Sequence, residues 1–126
     1  MPLVFDPDIK KHVNKTCPPT TAIPADGVFF RHVMSFPCKD SDFDSDIKTN
    51  KTPPRPIDDC DSWGCSVFDN IESVEKLKSR ARFFRKNGLF VKVHLNPQHG
   101  SVDNGSGHRS FWKYVNANVS QFCEAI

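Results

Sequence analysis

No stretch of this 126-residue chain approaches the ~20 consecutive apolar residues that a membrane-spanning helix requires. The first residues, Met1-Pro2-Leu3-Val4-Phe5-Asp6, have neither the basic nor the apolar region of a secretory leader, so a cytoplasmic protein is expected. Internal repeats are absent, and with them the solenoid and propeller architectures. The five cysteines (Cys17, Cys38, Cys60, Cys65 and Cys123) are odd in number and irregularly spaced. Without a leader they are expected as reduced thiols, with Cys65 and Cys123 as small core residues. Zinc requires four ligands, whereas Cys60-x4-Cys65 offers two, with His94 and His99 distant and no second close pair. No metal is expected. Four Asn-x-Ser/Thr sequons begin at Asn14, Asn50, Asn104 and Asn118, and would matter only on a secretory route.

What the chain does contain is divided unevenly. Residues 1–75 carry 8 Lys and Arg against 13 Asp and Glu, and residues 76–113 carry 9 against Asp103 alone. Such a division either solvates two faces of a small protein or gathers an anionic ligand. Nine of the ten prolines lie in residues 1–56, which discourages long helices there. Residues 1–25 read as an extended lead-in. Residues 39–62, with Asp40, Asp42, Asp44, Asp46 and Pro53-Pro54-Arg55-Pro56, read as a long acidic surface excursion.

Between these segments lies Val28–Val33, a β-branched and aromatic run that predicts a strand, as does Cys65–Phe68. Ile71, Val74, Leu77, Ala81 and Phe84 recur at helical spacing, predicting a helix over 71–86 with Asp69 and Glu72 at its start and Asn87-Gly88 as its stop. Leu89–Leu95 alternates: Leu89, Val91, Val93 and Leu95 form one face, and Phe90, Lys92 and His94 the other. A glycine-rich loop over 100–107, a strand over 108–115 and a short helix or closing strand over 118–125 complete the chain. The expected fold is a single α+β domain over residues 1–126, with a mostly antiparallel sheet and one main helix.

Three groups of residues could carry chemistry. Arg31 on an early strand offers a planar donor fork for phosphate, and Ser66, read as lying just before a helix, stands near unpaired backbone N–H groups. Each also has a structural reading: Arg31 pairing with an aspartate of 40–46, and Ser66 bonding locally. The second group, His94, His99, His108 and Arg109 around the glycine-rich loop, could move protons and stabilise phosphorane charge, as in a metal-independent ribonuclease. The third is His108-Arg109-Ser110-Phe111-Trp112-Lys113-Tyr114, whose interleaved aromatic and basic residues suit nucleic acid. Strand alternation nevertheless sends Phe111 and Trp112 to opposite faces, so at least one belongs to the core.

In the order of Arg31, Ser66 and the following helix and strand, the chain resembles the ADP-ribosyltransferase superfamily. That resemblance implies NAD as cofactor, with Arg31 on phosphate, Ser66 on the nicotinamide ribose and Glu124 supporting transfer. His108 and Arg109 join Arg31 and Ser66 as candidate cofactor contacts. Gln121-Phe122-Cys123-Glu124 departs from the superfamily's close Glu/Gln-x-Glu spacing, and Trp63–Phe68 from its Ser-Thr-Ser. The stretch Trp63-Gly64-Cys65-Ser66-Val67-Phe68, the Pro-rich segment before it and the late His/Trp-rich strand also resemble a family of small bacterial proteins without a known mechanism. The expected ligand is a phosphate-bearing small molecule. The alternatives are a non-catalytic module that docks a partner protein through residues 39–62 or the basic helix face, and an RNA-binding or ribonuclease-like protein.

Overall fold

The computed structural model describes residues 3–34, 36–50, 54–80 and 89–126. Among them, alternating apolar and polar residues build one antiparallel sheet of seven strands. These are β1 (Ile23–Pro24), β2 (Gly27–Val33), β3 (Cys65–Phe68), β4 (Leu89–Leu95), β5 (Gly100–Val102), β6 (His108–Lys113) and β7 (Cys123–Ala125). They lie side by side in the order β1-β5-β6-β3-β2-β4-β7. A short helix, α1 (Ile9–His12), and the main helix, α2 (Ile71–Arg80), accompany the sheet. The α+β fold expected from the sequence is the observed one.

The sheet is apolar on both sides, for different reasons. On one side Phe29, Val33, Val67, Val91, Val93 and Phe111 are buried, and the cover comes from loops: Cys38, Phe43 and Val119 pack into the same cluster. On the other side Trp112, from β6, meets Trp63, Ile9 and Val13, so the N-terminal arm closes that end. Farther along the same face the Lys78 ammonium of α2 stands 5.8 Å from the centroid of the Phe90 ring, and Val74 of α2 is buried. Phe111 and Trp112 are thus both core residues, one on each face, which removes the 108–114 strip as a base-stacking surface.

Residues 39–62 hold the expected surface excursion, with 54–59 all exposed, but its two ends are drawn onto the sheet. There two 3-10 turns, Asp40–Phe43 and Cys60–Trp63, bury Phe43 and Ser62 almost wholly. Its aspartates satisfy backbone and cations. Asp40 Oδ1 accepts the Val119 and Ser120 N–H groups at 2.9 and 2.8 Å, and Asp44 pairs with Lys113 at 3.2 Å. Cys17 and Cys60 form a disulfide with Cα atoms 5.6 Å apart, so the expectation of reduced thiols is corrected for this pair. Cys38, Cys65 and Cys123 are free.

The helix begins where expected, but its cap is Asn70, whose Oδ1 accepts the Ser73 N–H at 2.8 Å. Asp69 serves elsewhere: its Oδ1 accepts the Gly107 N–H at 2.9 Å and its N–H donates to the Gly107 carbonyl at 3.0 Å. The expected continuation over 81–86 and the stop at Asn87-Gly88 lie outside the described residues. Beyond Lys113 the pairing runs one step further, the Tyr114 N–H donating to the His99 carbonyl at 2.8 Å in the register of β5 and β6. Part of the glycine-rich loop is strand. Gly100 sits at φ +153°, and a Cβ there would stand 2.0 Å from the Trp112 carbonyl oxygen, so no other residue fits. The C-terminal segment holds both expected forms, a 3-10 turn at Ser120–Phe122 followed by β7.

Two anchors of the folded-back segment can be measured by chemical denaturation. Phe43→Ala is expected to cost about 3–5 kcal/mol, the range for removing a buried ring. Cys17→Ser is expected to cost about 4 kcal/mol, the chain-entropy value for opening a loop of this span. Wild-type stability in either variant would show that residues 39–62 are not fastened as described.

Candidate functional site

The strand register decides which candidates can meet. Residues directly opposed in an antiparallel sheet share a face. Phe30 opposes Phe68 and Lys92, His32 opposes Phe90, and Lys92 opposes Glu124. Ser66 opposes Ser110, and Phe68 opposes His108. All of these side chains therefore lie on the face that α2 and the N-terminal arm cover only in part. Arg31, between Phe29 and Val33, projects to the other side.

There Arg31 does the structural work that its neighbourhood allowed. Its Nε donates to the Asp42 carbonyl at 3.1 Å and its Nη1 to the Ser66 carbonyl at 2.8 Å. Arg109 lies on the same core side, 5.7 Å from the Phe29 ring centroid. Its Nε and Nη2 donate to the Asp103 carbonyl at 3.0 and 2.7 Å, and its Nη1 to Asp69 Oδ2 at 3.4 Å. Both guanidinium groups are spent on the protein's own oxygens, and neither reaches the Ser66 hydroxyl's face.

Glu124 shares that face with Ser66, but β2 and β4 lie between them, and three strand spacings amount to roughly 14 Å. Its carboxylate contacts His94 Nε2 at 3.3 Å and Lys92 Nζ at 3.5 Å. Those two partners, His94 first, hold its pKa below the usual carboxylate range. Arg31, Ser66 and Glu124 thus do not converge, and the residues present do not fit an NAD cradle of the kind the resemblance implied.

One pair of candidates does come together. Ser66 Oγ and His108 Nε2 are 2.9 Å apart, with Ser66 half-buried and His108 exposed. Ser66 is mid-strand, four positions before the Asn70 cap rather than at the helix start. A chain of rings continues from this pair. Phe68 meets His108 edge-on at 5.5 Å and Phe90 at 6.3 Å, and Phe90 meets His32 at 5.4 Å. Lys92 and Lys78 add positive charge along the same line. Phe68, His32 and Lys92 are site residues that motif reading missed, although their alternation with the core residues already placed them on one face.

The remaining histidines stand apart. His94 is exposed beside Glu124, whereas His99 is only 4% exposed. His99 Nδ1 accepts the Asn96 N–H at 3.0 Å, its ring bonds the Asn118 backbone, and Phe122 packs edge-on at 4.8 Å. It is a cross-link in the core of a turn. Among the described residues no group of three His, Cys, Asp or Glu side chains could hold a metal, and no helix is long and apolar enough to cross a membrane.

Two hollows lie elsewhere. One of about 530 Å³ is floored by Trp63 and Trp112, but its charges pair internally. Lys48 bridges Asp6 and Asp8 at 3.1 Å each, and Lys113 takes Asp44. A smaller one of about 240 Å³ lies among the amides around His99. Neither contains Ser66 or His108. Comparison of the chain with family models, with curated proteins and with solved structures gives no match.

Burial of the His99 ring lowers its pKa from the ordinary histidine value. Between that lowered value and about 6.5 the unfolded chain binds the proton and the folded ring does not. Stability should therefore fall as pH drops below about 6.5, levelling once the folded ring itself protonates. Denaturation at a series of pH values, wild type against His99→Gln, tests this: the difference between them should grow with pH through that window. A pH-independent difference would mean that the ring is not buried neutral.

Proposed function

We propose that this protein binds a phosphate-bearing ligand of the nucleotide type on the open sheet face, with Ser66 and His108 at the seat. The observation that carries the reading is the 2.9 Å Ser66–His108 pair on a face lined by rings and cations. With His108 Nε2–H donating to Ser66 Oγ, the hydroxyl proton is left to donate to a phosphate oxygen, and hydrogen bonds to a charged group are the stronger kind. Lys78 supplies the attracting field, the charge of Lys92 being shared with Glu124 at 3.5 Å. The half-buried Phe30 and Phe68 rings offer apolar surface to a base.

The same pair has the contact that activates a serine nucleophile. Among the described residues nothing else bonds His108 to orient it, so binding is the reading and no reaction step is assigned. An NAD-consuming reaction draws no support from Arg31, which faces away. A protein-docking role for residues 39–62 is weakened by the pairing of Asp40 and Asp44 within the chain. The basic side of α2 flanks the proposed site and contributes to its charge.

Calorimetric titration with ADP, and with inorganic phosphate as the smaller probe, tests the reading. Saturable binding that weakens with added salt is expected. Ser66→Ala and His108→Ala should each reduce affinity by about tenfold or more, the scale of one hydrogen bond to a charged group. Arg31→Met should leave the affinity of the folded protein unchanged. Absence of binding, or equal affinity in the Ser66 and His108 variants, would overturn the assignment.

A further inference from the structure

The free thiols of Cys38 and Cys123 are adjacent. Cys38 Sγ reaches the Ser120 carbonyl at 3.9 Å and Cys123 Sγ reaches the adjoining Val119 carbonyl at 3.8 Å, so the two thiols meet at one turn. Both belong to the apolar cluster on the loop-covered side of the sheet. Their surroundings are already fastened, since Asp40, two residues after Cys38, caps the Val119 and Ser120 N–H groups of the turn that leads into β7. Cys38 is therefore held against the start of the edge strand by contacts that do not involve sulfur. Cys65, the third free cysteine, is buried at the start of β3, the middle strand of the sheet.

We propose that Cys38 and Cys123 are a redox-active dithiol that closes a second disulfide and locks β7 to the folded-back segment. The reaction is exchange with a low-molecular-weight disulfide. The thiolate of the half-buried Cys123 attacks one sulfur of the oxidant and displaces the first small thiol. The Cys38 thiolate then attacks the mixed disulfide and displaces the second. One protein disulfide forms, the oxidant's disulfide is reduced to two thiols, and the two protein thiol protons end on those leaving groups.

Burial, the Cys38 contact and the nearby Asp40 and Asp42 carboxylates raise the Cys123 pKa, so the attacking thiolate is scarce near neutrality. Exchange should then be slow at pH 7 and faster in mild alkali. Closure would link positions 38 and 123, and so fix the strand whose Glu124 contacts Lys92 and His94. The inference does not rest on the proposed ligand.

The test uses the whole protein with its Cys17–Cys60 bond intact and oxidised glutathione at pH 8.5. Alkylation in denaturant should count a fall from three free thiols to one, with a mass loss of two hydrogens. Tryptic peptide 32–39 should appear joined to peptide 114–126. Hydrogen exchange over Cys123–Ala125 should slow in the oxidised form. In Cys38→Ser, Cys123 should instead retain a stable glutathione adduct, which has no neighbour to resolve it. Three thiols persisting, stable adducts on both cysteines of the wild type, or a cross-link through Cys65 would overturn the proposal. Because the decisive peptide is read from the wild type, the outcome does not depend on either variant folding.

Discussion

The guanidinium of Arg31, caught between the carbonyl oxygens of Asp42 and Ser66, is the joint on which this architecture turns. One bond reaches into the segment between β2 and β3, and the other reaches the strand that segment leads to. A stretch with several prolines and aspartates has little sheet or helix propensity of its own, so it must borrow order from its neighbours. Arg31 supplies charged donors to one carbonyl of that segment and one of β3. Phe43 supplies the apolar anchor, and Asp40 returns the favour by capping the Ser120–Phe122 turn. With these contacts made, residues 39–50 become the roof over one face of the sheet rather than a tail in water.

Covering one face with loops leaves the helix and the N-terminal arm for the other, and they do not cover all of it. Between Trp112 at one end and Phe90 at the other lies the row containing Ser66, Phe68 and His108. Its polarity follows from β3, where Cys65 and Val67 point to the roofed side and Ser66 and Phe68 to the open one. The site exists because the cover is incomplete, and the partly buried rings beside it follow from the same incompleteness.

Much of the frame was legible in the sequence because alternation is a local signal. β2, β3, β4 and most of β6 fall where the period of two places them, and α2 starts where the period changes. The misread parts share a cause, which is a partner far along the chain. Asp69 looks like a helix cap from its spacing, yet Gly107 and Arg109 claim it and Asn70 takes the cap. Residues 39–62 look solvated by composition, and 54–59 are exposed, yet Asp40 and Asp44 meet N–H groups and a lysine dozens of positions away. The bond between Cys17 and Cys60 leaves no trace in cysteine spacing. Arg31 is the instructive case: its parity with Phe29 and Val33 already assigns it to the buried side, and that parity outweighs any likeness of order to a phosphate clamp.

The two rims of the sheet have a consequence for how the protein behaves in a crowd. One rim is the two-residue β1, half of it Pro24, which has no N–H to offer; the other is the three-residue β7. Neither presents the long row of unpaired backbone groups on which a second chain could template itself. A sheet with both faces rich in apolar residues would otherwise invite ribbon growth through its margins. Here lateral addition is stopped by strands too short to receive it, and the molecule is terminated at both borders by its own design.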